Sequence, residues 1–188
     1  MTFDYPVFLD LGGVPVLLVG AGNVAVRKAQ GLAQAGARLT VVAPRHHPGF
    51  DQLDVIRRRR TYRTTDLDGQ QLVVVATDDP AVNARVAADA SAAHIFVNSA
   101  DDPANCSFIL PAVARTGMVT AAISTGGASP ALAQRLRDTI AADVLTPAVR
   151  AAADTLAAER AAIHAAGDST EDVDWRPRLS ELLDGEGS

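Results

Sequence analysis

The sequence predicts an α/β fold built on a parallel sheet, and three observations carry that prediction. Nearly half of the 188 residues are hydrophobic while only 4% are aromatic, so the core must be assembled from Ala, Val, Leu and Ile. Short continuous apolar runs, of the kind that strands covered on both faces need, alternate with alanine-rich stretches of helical spacing. The first of these runs breaks at a glycine turn and restarts at once as a helix.

Bulk properties narrow the function classes. The length allows one ordinary domain and an appendage, but hardly two full domains. A net charge of -5 argues against a general nucleic-acid binder, although a local basic patch stays open. The single cysteine, Cys106, excludes an intramolecular disulfide and a cysteine-rich metal site. The first residues, MTFDYPVFLDL, lack the basic and apolar regions of a secretory leader, and no apolar run approaches the roughly 20 residues that span a bilayer. A soluble cytoplasmic protein, with no membrane or nucleic-acid partner, is expected.

Phe3 to Leu11 mixes apolar residues with Pro6 and is expected to pack across the sheet before Gly12-Gly13 turns the chain. Val16-Leu17-Leu18-Val19 reads as the first buried strand, followed by Gly20-Ala21-Gly22-Asn23-Val24-Ala25. This is Gly-x-Gly-x-x-Ala: the first glycine permits a tight turn, the second lets backbone approach a pyrophosphate, and the small third residue lets helix and strand pack closely. The helix that follows aims its free N–H groups and positive dipole end at the phosphates. Its spacing puts Val24, Lys28, Gly31, Leu32 and Ala35 on one side, with Gly36 as the expected cap. Arg38 to Ala43 is a second buried strand ended by Pro44, completing a βαβ unit of about thirty residues. An NAD-specific fold usually ends this strand with Asp or Glu on the ribose hydroxyls, whereas Ala43-Pro44-Arg45 stands here. Spacing alone therefore leaves NAD and NADP open, leaning to NADP.

Val55 to Arg63 carries Arg57 to Arg60 in succession, read as an edge strand with solvated charges or, more sharply, as an anion patch for a polycarboxylate. Leu72 to Ala76 is the clearest buried strand and ends in Thr77-Asp78-Asp79-Pro80. Ligands of open α/β sheets sit at such strand ends, so Thr77 and Asp78 are placed to face a cofactor, while Asp79 before Pro80 is a helix cap. Ala81 to Ala93 reads as helix and Ile95 to Asn98 as strand, followed by the polar loop Ser99 to Ser107. Asp101-Asp102 in that loop fits either a general base or an Asp-Asp-Pro turn. Phe108 to Ala114 and Met118 to Ser124 form a hairpin pattern around Arg115-Thr116-Gly117, which breaks the βαβ alternation and puts a domain boundary near Pro111. Thr125-Gly126-Gly127-Ala128-Ser129-Pro130 is a second glycine loop opening a helix, with Ser129 as its cap, and a second candidate anion site. Helices are expected from Ala131 to about Val144, from Pro147 to Ala166, and in a last short turn around Trp175, Leu179, Leu182 and Leu183, before a disordered Gly185 to Ser188. The expected organisation is thus a nucleotide-binding domain over residues 1–111, a small α+β segment over 112–145 and a helical region over 146–188. His46, His47, His94 and His164 show no ligand spacing and read as surface or capping residues, so no metal site is expected.

Taken together, several segments resemble the precorrin-2 dehydrogenase family, which is also the amino-terminal module of siroheme synthase. They are Tyr5 to Leu11, Gly20 to Ala25 with Arg27-Lys28, Val41 to Pro44, Ala76 to Asp79, Asn98 with Asp101-Asp102-Pro103, Ser107 to Ala112, and Ser124 to Pro130. The resemblance covers about residues 3 to 145. It implies a Rossmann-type domain and NAD-dependent oxidation of precorrin-2 to sirohydrochlorin, sometimes followed by insertion of Fe2+ to give siroheme. It also implies a homodimer built through the segment after the nucleotide domain, and NAD as cofactor despite Ala43-Pro44. Carried over by motif, Gly20, Gly22, Asn23 and Val24 meet the cofactor at the turn, Pro44 and Arg45 flank its adenosine side, and Thr77 lies near the ribose or nicotinamide. Asp101 matches the family's essential aspartate, and Asn98, Ser124, Thr125 and Gly126 are expected on the substrate side. Thr125 departs from the serine of some bifunctional members, which puts a regulatory role for that hydroxyl in doubt. The competing readings are a tetrapyrrole chelatase without redox activity and a non-enzymatic NAD-sensing dimer; only the enzymes need Asp101.

Overall fold

The computed structural model describes residues 3, 5–100 and 102–184. The chain divides into two compact units, Met1–Leu110 and Pro111–Ser188.

The first unit is a five-stranded parallel sheet made of β1 (Pro15–Val19), β2 (Arg38–Val42), β3 (Ile56–Arg58), β4 (Leu72–Val75) and β5 (Phe96–Ser99), in the order β3-β2-β1-β4-β5. Helix α1 (Asn23–Gln34) connects β1 to β2 and α2 (Pro80–Ala92) connects β4 to β5. The chain first builds outward from β1 through β2 to β3, then returns to add β4 on the other side. This reversal puts a crevice at the carboxyl ends of β1 and β4, the place where open α/β sheets bind ligands.

The apolar runs are continuous because both faces of the sheet are covered. Val16 and Leu18 turn to one face with Leu39, Val41 and Val74, against Ala25, Val26, Ala29 and Leu32 of α1. Leu17 and Val19 turn to the other face with Val73 and Val75, against Val86, Ala87 and Ala90 of α2. Each fully buried Val or Leu contributes roughly 1.5–3 kcal/mol, so these two layers hold the unit together. The buried stripe of α1 is therefore not the predicted Val24-Lys28-Gly31-Leu32-Ala35 side. Of those residues only Leu32 is buried, and Val24 is 40% exposed because the first turn projects beyond the sheet.

Helix ends follow local chemistry. Gly36, at φ +80, closes α1: its N–H donates to the Ala33 carbonyl while the Ala37 N–H donates to that of Leu32. His94 does the same for α2 at φ +56, making it a capping residue in a conformation that favours glycine. The Asp79 carboxylate caps the start of α2, accepting from the Ala81 and Val82 N–H groups. The amino-terminal stretch does not pack across the sheet as expected. Tyr5 and Phe8 are 87% and 73% exposed, since α1 and α2 already occupy the two faces, and Leu11 and Val14 are the residues there that reach the core.

The second unit is an antiparallel hairpin, β6 (Ala112–Thr116) and β7 (Val119–Ile123), with helices α3 (Pro130–Asp143), α4 (Pro147–Ala165) and α5 (Arg176–Asp184). Gly117, at φ +55, takes the first position of its two-residue turn. Ser129 caps α3 and Thr146 caps α4, each followed by proline at the first helical position. Arg178 of α5 bridges to Glu159 of α4 at 2.7 Å. The predicted disordered end, Gly185 to Ser188, lies outside the described residues.

The arginine run sits on edge strand β3 and just beyond it, but most of its charge is used internally. Asp66 is 1% exposed and receives Arg58 at 2.6 Å and Arg60 at 2.5 Å, while Arg57 pairs with Asp51. Burial pushes the Asp66 carboxyl up, but the Arg60 guanidinium, the Arg63 N–H and Arg58 more than offset it and hold it at about 2. Because the folded carboxyl titrates below its unfolded value, this network stabilises the protein fully above about pH 4, and that stability is lost as pH falls toward 2. The expected loss is about 2 kcal/mol. Thermal melting across pH 6 to 2 should show it, and Asp66→Asn should remove that component while lowering stability at neutral pH.

Candidate functional site

The glycine turn is fixed from both sides. The Gly20 N–H donates to the Val42 carbonyl of β2 at 3.0 Å, and the Ala76 N–H donates to the Val19 carbonyl at 2.8 Å. Gly20 has φ +106, and a Cβ there would lie 2.1 Å from the Ala76 carbonyl oxygen. Only glycine satisfies both the backbone conformation and this approach of the β1 and β4 ends.

Gly22 is different. It is the N-cap of α1 at φ -83, a conformation any residue adopts, and a Cβ added to it would meet nothing within 4 Å. No side chain caps this end of α1, and its first turn holds no acidic residue. The N–H groups of Asn23, Val24 and Ala25 therefore lack the carboxylate or hydroxyl partner that helix starts commonly have, as at Asp79, Ser129 and Thr146. An uncapped helix start beside an open glycine fits a dinucleotide pyrophosphate, whose oxygens would complete those bonds. Asn23 and Val24 are exposed at this mouth.

The segment after β2 folds back onto the turn, with the His47 N–H donating to the Ala21 carbonyl at 2.9 Å. It exposes Pro44 and Arg45 where an adenosine would lie. His46 is no surface residue. Its ring packs edge-on against Phe50 at 5.9 Å, and burial, with help from the Arg59 and Arg57 charges, lowers its pKa below the usual 6.5 against the Val41 carbonyl. His47 caps the short 3-10 turn that follows by accepting from the Gly49 N–H.

At the end of β4, the Thr77 hydroxyl lies 2.6 Å from Asn83 Oδ1, receives the Asp79 N–H and is tied to the start of α2, while Asp78 is exposed. At the end of β5, the loop that contains Asp101 is held by its flanks. The Ala100 N–H donates to the Val75 carbonyl at 2.8 Å, and the Ser107 N–H to that of Val97 at 2.8 Å. The buried Cys106 thiol is the hub between them: its Sγ accepts from the Ser99 N–H at 3.1 Å and donates to the Ser99 or Asp102 carbonyl. Burial pushes this thiol's pKa up, so it stays protonated and acts as a small packing group. Asp101 itself lies outside the described residues. Asn98 is 6% exposed and its amide is engaged on both sides, accepting from Lys28 Nζ at 3.0 Å and donating to the Phe108 carbonyl at 3.0 Å.

Lys28 is the member of this cluster that spacing did not single out. Helical periodicity placed it on a packed face, but its ammonium spans from α1 to the end of β5. The legible signal was the single lysine of the sequence, next to Arg27 and one turn beyond the glycine motif.

Ser124, Thr125 and Gly126 belong to the second unit. The Thr125 hydroxyl donates to the Ser129 carbonyl and accepts the Ser129 N–H, both at 3.1 Å, and Ser124 Oγ accepts the Gly126 N–H. The hydroxyl of Thr125 thus shapes the loop that starts α3. Among the described residues no group of three or more His, Cys, Asp or Glu gathers to hold a metal.

This sheet, its switch point and the uncapped glycine turn define the class: an NAD(P)-binding domain of the dehydrogenase type. The family model described as NAD(P)-binding matches residues 7–112, and that described as sirohaem biosynthesis protein central matches residues 122–142. The siroheme synthase of Tolumonas auensis is 46% identical over 142 residues, 74% of this chain and 30% of that protein. That of Ectopseudomonas mendocina is 47% identical over 135 residues, 70% of this chain and 29% of that protein. The chain therefore spans about 30% of the length of these curated relatives. The solved structure of SirC, a precorrin-2 dehydrogenase, superposes with a TM-score of 0.71 at 31% identity, covering 98% of this chain and 89% of that one. The chain belongs to the precorrin-2 dehydrogenase family, whose module the siroheme synthases share.

The two glycines make separable predictions. Gly22→Ala should fold with a melting temperature close to that of the parent, yet bind NAD at least about tenfold more weakly, because its Cβ enters the space left for phosphate. Gly20→Ala should fail to give folded protein. Circular dichroism and calorimetric titration distinguish the two.

Proposed function

We propose that this chain oxidises precorrin-2 to sirohydrochlorin, with NAD as hydride acceptor, as a step of siroheme biosynthesis. The observation that carries this reading is the meeting, at the carboxyl ends of β1, β4 and β5, of an uncapped glycine turn and the braced loop between Ser99 and Ser107. Membership of the precorrin-2 dehydrogenase family supports it. Bound NAD supplies the acceptor for a hydride from the macrocycle. The residues of the chain do the rest. Gly20, Gly22, Asn23 and Val24 seat the pyrophosphate, Pro44 and Arg45 border the adenosine, and Thr77 borders the ribose at the start of α2.

Asp101, next in sequence after Ala100, is assigned as proton acceptor, so that loss of a hydride and a proton together extends conjugation. Asn98 acts through the loop after β5: held by Lys28, it fixes the Phe108 carbonyl and with it the loop's return. Ser124, Thr125 and Gly126 are assigned to the tetrapyrrole. Oxidation alone is proposed here, and Fe2+, where this family inserts it, enters as substrate.

The working form is a cytoplasmic homodimer joined through the second unit. That unit buries few apolar side chains among its described residues, chiefly Ala114, Ala133, Leu145 and Ala152, and leaves Met118, Leu132, Leu136 and Val144 exposed. A lone two-stranded hairpin is marginal in water, and a second copy would cover this apolar surface. No described helix is long and apolar enough to cross a membrane.

Anaerobic incubation with precorrin-2 and NAD should form NADH and sirohydrochlorin in equal amounts. Asp101→Asn should bind NAD unchanged and lose about 10²–10⁴ in rate, the usual worth of a positioned base. Nucleotide binding with no oxidation would move the reading to a chelatase or a sensor, and full activity in the variant would remove Asp101 from the mechanism.

A further inference from the structure

Of the 17 lysines and arginines in the chain, Lys28 alone is lysine. Helix α1 presents it beyond the glycine turn, about 4.5–7.5 Å along the helix axis from the N–H groups of Ala25 to Asn23. The parallel register sets Asn98 of β5 opposite Val74, in the layer that α1 covers. The ammonium joins the two elements, with Nζ 3.0 Å from Asn98 Oδ1.

This contact orients the Asn98 amide. An ammonium only donates, so it must meet the amide oxygen, and the amide nitrogen is thereby turned to the Phe108 carbonyl at 3.0 Å. Together with the Ser107 N–H on the Val97 carbonyl and the Cys106 thiol on Ser99, this bond sets where the chain returns from the loop that carries Asp101. With the ammonium gone, Asn98 loses the partner that fixes which way its amide points. A planar guanidinium is a poorer fit for the place, because its rigid fork asks for acceptors side by side, whereas an ammonium is a compact charge on a flexible stem.

The charge reaches the loop as well as the bond. Lys28 is half-buried, so its field is screened less than that of an exposed side chain. At Cys106, burial raises the thiol pKa and the Asp102 charge adds to it, while the bond with Ser99 and the Lys28 charge act the other way. A cation felt in a loop with two adjacent carboxylates favours their ionised form, which is the form a proton acceptor must take.

We propose that Lys28 is a positioning residue for the oxidation: from the cofactor helix its ammonium sets the Asn98 amide and, through it, the loop whose aspartate takes the proton. The assignment rests on the dehydrogenase reading above. It adds a residue that acts on kcat through its neighbours and is itself assigned to neither nucleotide nor macrocycle.

The test compares the whole chain with Lys28→Met, which keeps length without charge, and Lys28→Arg, which keeps charge without the compact shape. NAD affinity is read by calorimetric titration, kcat and KM by anaerobic turnover of precorrin-2, and the loop itself by amide hydrogen exchange across residues 99–107. Lys28→Met should bind NAD within about twofold of the parent, keep its KM for precorrin-2, and lose about tenfold or more in kcat, the worth of one hydrogen bond to a charged group. Exchange across 99–107 should quicken by a similar factor while that of β1 and β4 stays unchanged, and Lys28→Arg should recover part of both losses. A kcat within twofold of the parent in Lys28→Met would overturn the proposal. So would a lower melting temperature with NAD affinity, KM and kcat all impaired alike, which marks a general structural lesion. If the parent itself fails to oxidise precorrin-2, the dehydrogenase reading falls, and unchanged exchange across 99–107 in Lys28→Met would separately overturn the hold of Lys28 on the loop.

Discussion

The close approach of Gly20 to the Ala76 carbonyl is the constraint on which the rest of the site depends. Strands β1 and β4 are neighbours across the point where chain order reverses, and their carboxyl ends must come together without a side chain between them. The turn then leaves β1, meets β2 through the Gly20 N–H and starts α1 with its backbone donors uncovered. Had Gly22 been Ser or Asp, a side chain would have satisfied those donors and closed the anion site. The sequence instead leaves the dipole end of α1 open, and because glycine is itself a tolerated N-cap the cost is only about a few tenths of a kcal/mol.

Stability and chemistry are held on different sides of the sheet's edge. The two apolar layers, with α1 on one face and α2 on the other, fix the strand ends. Short polar networks then fix the loops: Asp79 and Thr77 at β4, Cys106 and Asn98 at β5, and His47 at β2. Lys28 ties two of these regions together, since it rises from the cofactor helix to hold the residue that organises the loop after β5. The arginine-rich edge divides its labour in the same way, with Asp51 and Asp66 absorbing three guanidinium groups and Arg45 and Arg59 left facing solvent.

Much of this was legible in the residues. Continuous runs such as Val16 to Val19 and Leu72 to Val75 mark strands covered on both faces, and Ser129-Pro130 and Thr146-Pro147 mark helix starts, because their signals are local. The glycine turn was legible for the same reason. What spacing missed depends on distant partners. The stripe of α1 was misassigned because helical periodicity does not say where a helix overhangs its sheet. His46 looked like a surface residue until Phe50 closed over it. The arginine run looked solvated because Asp66 is supplied by a separate 3-10 turn. The exposure of Tyr5 and Phe8 runs against their apolar character, which spacing had assigned to packing.

The measurement that bears most directly on the central claim is a crystal structure of the chain with bound nicotinamide dinucleotide. The pyrophosphate should lie on the N–H groups of Asn23, Val24 and Ala25 beside Gly22, with the adenosine over Pro44 and Arg45 and the nicotinamide toward the loop after β5. A dinucleotide seated at the second glycine loop, Gly126-Gly127, with the turn at Gly22 left to solvent, would contradict it.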